Sequence, residues 1–234
     1  MDLANKQISI KNLGKINYQE AWDFQEKLFA ENLKDKVAGK ETTNHLLLCE
    51  HEHVYTLGKS GSENNLLVTN QQLRKLNVSY IKTNRGGDIT YHGPGQIVGY
   101  PIFDLEKFNL GIRNYIELLE ESIISVLAEF GIKGERLEGA TGVWLDVNKT
   151  GLARKICAIG VKASKHITMH GFAFNVNTDL DFFNLINPCG FRDKTVTSME
   201  KELGRKQDFK KVLLSVENAI INNFSGNNRN YPGN

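Results

Sequence analysis

Between residues 140 and 176 the chain strings together three short apolar and β-branched runs, TGVWLDV, KICAIGVKA and HITMHGFAFNV, separated only by turns. Connections this short leave no room for the crossover helices that parallel neighbours need, so antiparallel pairing is the natural consequence. Any fold for this sequence must therefore be built on a sheet. Helices must cover it. Residues 111–130 place Ile112, Tyr115, Ile116, Leu119, Ile123, Leu127 and Phe130 on one helical face, and Phe209, Val212, Leu213, Val216, Ile220 and Phe224 mark a final helix at 207–224. A third helix is expected at 18–35, where Asn17 and Glu20 have capping-box-like spacing ahead of Tyr18, Ala21, Trp22, Gln25, Leu28 and Phe29.

The remaining segments are shorter. HLLLCEHEHVYTL at 45–57 suggests two strands or a bent one, and NVSYIKTN a further strand after a helical stretch near 69–76. A short helix is expected at 178–185. No internal repeat, proline-rich linker or composition shift divides the chain, so strands mixed with covering helices point to a single α+β domain over residues 1–224, with 225–234 as a disordered tail.

Charge and cysteine usage narrow the function. Twenty-nine basic residues against twenty-seven acidic ones give +2, too little for a nucleic-acid footprint. No signal-peptide-like or membrane-length apolar run is present, so a cytoplasmic protein with no membrane partner is expected. Cys49, Cys157 and Cys189 form an odd set without framework spacing, which fits a reducing compartment and leaves each thiol available for chemistry.

The densest functional signal is RGGDITYHGPGQIVGY at 85–100, with glycines at 86, 87, 93, 95 and 99. Glycines let backbone amides approach a ligand closely, although a turn-rich hairpin would also use them. Nucleotide motifs fail. Gly58-Lys59-Ser60 ends like a P-loop, but His53 stands where its leading glycine belongs, and the dinucleotide fingerprint is missing. Cys49, His51 and His53 on one strand face, and His166 and His170 on another, lack standard ligand spacing, so no metal is expected.

Cysteine chemistry is the remaining option. It needs a setting that favours the thiolate. Cys49 lies among leucines and should only pack. Cys189 sits in Asn187-Pro188-Cys189-Gly190, where proline breaks the preceding helix, and Cys157 would share a strand face with Lys155. Spacing alone does not decide between Cys157 and Cys189.

Arg85, Gly86, Gly87, Thr90, Tyr91, His92, Gly95, Gln96 and Tyr100 resemble, in order and spacing, the signature of the lipoyl(octanoyl) transferases. The resemblance extends through Thr56-Leu57-Gly58, Gly142-Val143-Trp144, Lys155-Ile156, Ala158-Ile159-Gly160, His170-Gly171-Phe172 and Asn187-Pro188-Cys189-Gly190, covering roughly residues 45–200. It implies a fold like the catalytic domain of biotin and lipoate protein ligases, with a mixed, mostly antiparallel sheet. It also implies a Cys189 nucleophile paired with Lys155, and a substrate cradle made by Arg85, Gly86, Gly87, Asp88, Ile89, Thr90, Tyr91 and His92, by Ala158, Ile159 and Gly160, and by Gly171, Phe172 and Ala173. The implied donor is octanoyl-acyl carrier protein, and the implied acceptors are lipoyl domains of 2-oxoacid dehydrogenase complexes and the glycine cleavage H protein, with no cofactor. Cys157 departs from the family pattern, which usually has a smaller residue such as alanine there.

Overall fold

The computed structural model describes residues 6–187 and 195–225. Strands β1 (Ile8–Ile16), β2 (Asn44–His51), β6 (Gln96–Ile102), β7 (Glu135–Leu137), β8 (Ala140–Leu145), β9 (Arg154–Ser164) and β10 (Ile167–Asn175) form the larger sheet. Their order is β1-β2-β6-β10-β9-β8-β7, and β11 (Thr195–Val196) joins β9. The β1–β2 and β9–β11 pairs are parallel and the others antiparallel. This is the mixed, mostly antiparallel sheet of an α+β domain.

Every residue of the central strand β10 is buried, because helices cover both faces of the sheet. On one face Leu46, Leu48, Ile97, Phe172 and Phe174 pack with Tyr115, Leu119 and Ile123 of α3 (Ile112–Glu129) and Val212, Val216 and Ile220 of α5 (Phe209–Ser225). On the other, Leu47, Cys49, Val98, Met169 and Ala173 meet Ala21 and Phe29 of α1 (Tyr18–Val37). The period-2 alternation of the strands thus sorts their apolar residues between two helical layers. None of the helices among the described residues is long and apolar enough to cross a membrane.

A second, three-stranded sheet runs β4-β3-β5, made of β3 (Val54–Leu57), β4 (Ser79–Lys82) and β5 (Ile89–His92). Its edge is served by α2 (Asn70–Lys75), whose Thr69 cap exchanges hydrogen bonds with Gln72 in a full capping box. The glycine-rich stretch is not a hairpin. β5 pairs with β3 in the small sheet and β6 with β2 and β10 in the large one, so Gly93-Pro94-Gly95 carries the chain from one sheet to the other.

Several expected boundaries shift. The first helix runs two residues further, to Val37, and Asn17 caps it through the Gln19 amide at 2.8 Å rather than in a box with Glu20. The segment at 45–57 is two strands in different sheets, and the helix expected at 178–185 is a 3-10 helix, Leu180–Leu185. Ser225 closes the last helix instead of opening the tail; residues 226–234 lie outside the described ones.

Candidate active site

Where the 85–90 segment docks on the large sheet, a cavity of about 410 Å³ opens, within the range of small-molecule sites. The docking bond is Gly86 N donating to Val161 O of β9 at 2.9 Å. Arg85, Gly86, Gly87, Asp88, Ile89, Thr90, His92, Ala158, Ile159, Gly160, Gly171, Phe172, Ala173 and Lys155 all line it. Tyr91 does not. Its hydroxyl hydrogen-bonds His53 Nδ1 at 2.7 Å and its ring stacks on Phe182, which places it in the core of the small sheet. Cys189 lies outside the described residues.

Much of the wall is apolar: Val98, Ile116, Trp144, Ile159, Val161 and Phe172 contribute to it. Phe172 lies against the backbone of Gly99, its partner across the β6–β10 ladder, where any Cβ would collide with the ring. Small residues here let a ring stand flat on a strand.

A polar end completes the cavity. The Arg85 guanidinium donates to Gly86 O at 3.0 Å, to Thr56 O at 2.7 Å and to Thr56 Oγ1 at 2.9 Å. Thr56 Oγ1 in turn lies 3.2 Å from His92 Nε2, and His92 Nδ1 lies 2.9 Å from Gln96 Oε1. Gln96 spends its amide hydrogens on Tyr91 O and Asn175 Oδ1, at 3.1 and 2.9 Å, so its oxygen must accept. His92 is therefore the Nδ1–H tautomer, with Nε2 accepting from the Thr56 hydroxyl. Burial first, and then the charges of His51 and Arg85, drive its pKa well below the ordinary imidazole range. It stays neutral and cannot shuttle protons near neutral pH; it anchors Arg85 through Thr56.

Lys155 reaches the cavity from β9. Its Nζ donates to Thr141 O at 3.0 Å and stands 4.6 Å from the centre of the Trp144 ring. Both contacts favour the ammonium form. The start of β8, which supplies Thr141, is held from behind by Glu120 of α3, which accepts from the Gly142 amide at 2.8 Å and from Arg136 Nε at 3.1 Å. Gly142 has φ +117°, and a Cβ there would strike Cys157 O, so only glycine lets β8 close on β9 at this point.

Lys155 and Cys157 do not share a face. Across the β8–β9 pair the register slips between Val143 and Trp144, an irregularity that interrupts alternation just where the two residues stand. Cys157 is fully buried in the core with Ile156 and Val143, while Lys155 lines the cavity. Burial pushes the Cys157 thiol well up, against an opposing pull from Lys155, and burial likewise raises Cys49, which contacts His51 Nε2 at 3.4 Å. Both are poor thiolates. His53 turns to Tyr91 and exposed His166 to Glu106, so neither histidine set noted in the sequence converges. Among the described residues no three metal-ligating side chains gather as a metal site.

Tyr18, Ile116, Asn175 and Phe183 also line the cavity and were missed in the sequence. Tyr18 and Ile116 belong to helical apolar stripes and look like any core position. Asn175, a polar residue ending a wholly buried strand, carried a signal that could have been read.

Known proteins resemble this chain in sequence and in fold. The model of the lipoyl protein ligase A/B catalytic domain matches residues 17–221. An octanoyltransferase from Porphyromonas gingivalis is 54% identical over 222 residues, 95% of this chain but 45% of that protein, so the chain spans under half of that relative. One from Parabacteroides distasonis is 59% identical over 214 residues, 92% of this chain and 97% of that protein. Among solved structures, a bi-partite lipoate protein ligase from Thermoplasma acidophilum superimposes with a TM-score of 0.60 at 17% identity, covering 94% and 82% of the two chains. The biotin protein ligase from Aquifex aeolicus, solved with biotin and ATP, gives 0.56 at 16% identity, covering 95% and 72%. The fold expected from the resemblance is the fold found, and the chain belongs to the lipoyl protein ligase A/B catalytic domain family.

Proposed function

We propose that this chain transfers an octanoyl group from octanoyl-acyl carrier protein to a lysine of a lipoyl domain, the domains of 2-oxoacid dehydrogenases and the glycine cleavage H protein included. The observation that carries the reading is the placement of Lys155, bonded to Thr141 O and set against the Trp144 ring, on the wall of a largely apolar cavity, in a chain over half identical to octanoyltransferases. Burying about six methylenes of the acyl chain would contribute on the order of 5 kcal/mol.

In this reading the Lys155 ammonium stabilises the Cys189 thiolate. The sulfur attacks the donor thioester carbonyl, and the carrier's pantetheine sulfur leaves as a thiol with the proton that Lys155 gives up. The acceptor lysine, arriving as a neutral amine, then attacks the Cys189 thioester; its nitrogen bonds the carbonyl carbon, the C–S bond breaks, the nitrogen's proton passes to the neutral Lys155, and Cys189 departs as the thiolate. A thioester is already activated, so this route needs no ATP.

Intact-mass spectrometry of the protein mixed with octanoyl-acyl carrier protein should show one added octanoyl group, lost on adding a lipoyl domain. Product from free octanoate, ATP and magnesium, without any adduct from the carrier, would replace transfer by ligation.

A further inference from the structure

A single peptide group stands between Lys155 and a buried carboxylate. Its carbonyl, Thr141 O, accepts from Lys155 Nζ at 3.0 Å, and its N–H, on Gly142, donates to Glu120 Oε1 at 2.8 Å. A peptide group is planar and trans, so its C=O and N–H point in opposite directions, and fixing one aims the other.

The sheet registers pass this peptide over. Against β7 the pairing moves from Val143 to Ala140 while β7 takes one step, from Arg136 to Leu137, and the register against β9 runs from Val143 to Leu145. Gly142, at φ +117°, has no Cβ to restrict rotation of the peptide ahead of it. Turned over, that peptide would present an N–H to Lys155 where an acceptor now stands.

Glu120 is more than a brace between α3 and β7. It is only 6% exposed, and burying a carboxylate is costly unless each oxygen is used. Arg136 of β7 pairs with Oε2 at 3.1 Å. Arg136 also donates to Glu117 O at 2.9 Å and to Glu121 Oε2 at 2.8 Å, so β7 is tied to α3 without Glu120. What Glu120 alone supplies is the acceptor for Gly142.

Resting on the acyl-transfer reading, we propose that Glu120 is a positioning residue for that reaction: by holding the Gly142 N–H it aims the Thr141 carbonyl that keeps Lys155 Nζ on the cavity wall against Trp144. Without that acceptor the peptide is free to turn, and the lysine side chain leaves the indole.

Three substitutions separate the acceptor from its charge. Glu120→Leu has no acceptor, Glu120→Gln keeps an oxygen within reach of Gly142 N but no charge, and Glu120→Asp keeps the charge but stops one methylene short. Because Lys155 Nζ stands 4.6 Å from the centre of the Trp144 ring, the ring current displaces the Lys155 Cε–H resonance, and carbon–proton NMR reads the side chain's position without any turnover. The resonance is identified by its loss in Lys155→Arg, and thermal unfolding is measured alongside. Glu120→Leu and Glu120→Asp should lose most of the displacement, and Glu120→Gln should keep most of it. Acyl-adduct formation at saturating octanoyl-acyl carrier protein should fall on the order of 100-fold in Glu120→Leu and about tenfold or less in Glu120→Gln, with the donor KM unchanged. A wild type that takes up no acyl group overturns the transfer reading, while the resonances still decide what Glu120 does to Lys155. An unmoved Lys155 resonance in folded Glu120→Leu, or Glu120→Gln no better than Glu120→Leu, would overturn the inference. Should Glu120→Leu fail to fold, Glu120→Asp equal to or better than Glu120→Gln would overturn it as well.

Discussion

Trp144 sets its indole 4.6 Å from Lys155 Nζ, while Thr141 O takes one of that ammonium's hydrogens from another side. In the proposed mechanism Lys155 enters as a cation and gives up a proton before the second step. Lys155→Arg keeps the charge but not the ability to deprotonate, since the guanidinium pKa lies above 12. Its expected phenotype is retained reactivity of Cys189 toward an alkylating reagent with transfer reduced by 100-fold or more, whereas Lys155→Ala should lose both. Alkylation rates beside single-turnover transfer decide it. Wild-type transfer by Lys155→Arg would leave Lys155 an electrostatic partner alone.

Three buried histidines are locked in opposite tautomers. His51 donates from Nδ1 to Ile16 O at 2.9 Å and accepts from the Tyr100 hydroxyl at 2.7 Å; His92 also carries its hydrogen on Nδ1, and His170 on Nε2. Nitrogen-15 NMR of the imidazoles at neutral pH should show two Nδ1–H rings and one Nε2–H ring among the slowly exchanging histidines. A protonated His92 would refute the neutral Arg85–Thr56–His92 chain.

The same histidines make the protein acid-sensitive. Burial lowers His51 to about 4 and His170 to about 3, and drives His92 well down, from an unfolded value near 6.5. Below pH 6.5 the unfolded chain binds protons that the folded one refuses, so stability falls with pH until the folded values are reached. Each histidine contributes a slope of up to roughly 1.4 kcal/mol per pH unit. Urea midpoints should drop steeply from pH 7 to pH 5. A flat profile there would mean the three rings are not held neutral.

Cys49 and Cys157, buried and pushed up, should resist iodoacetamide in the folded protein at pH 8 and react only after denaturation. Peptide mapping reads this directly. Cys49→Ala is expected to transfer octanoyl near normally after correction for stability. Rapid labelling of native Cys157 would reopen its candidacy as the nucleophile.

How far the sequence discloses this arrangement depends on what each signal measures. Apolar periodicity found α1, α3 and α5 because each buries a stripe against the sheet. It missed β1, an edge strand whose residues are all exposed or half-buried and include Asn12, Gly14 and two lysines, and α4 (Met199–Leu203), a single turn too short to show a period. The cradle residues were legible through glycine density and the family motif, but Tyr91 among them faces the core, since a motif records spacing and not direction. The separation of Lys155 from Cys157 was invisible for the same kind of reason. Strand alternation assumes a regular ladder, but across the single step from Val143 to Trp144 β9 advances two residues, from Cys157 to Lys155.

Phe172 rests on Gly99, and the pairing Gly171↔Gly160 continues the same bare strip of backbone along the sheet. The hollow beside it is therefore made by omission: side chains that would ordinarily fill the gap were never added, and an aromatic ring has dropped into one of the vacancies. A methyl group at position 99 would act like a shim, lifting the ring toward the opposite wall and shortening whatever chain the hollow can admit. Gauge, in this protein, is written in hydrogen atoms.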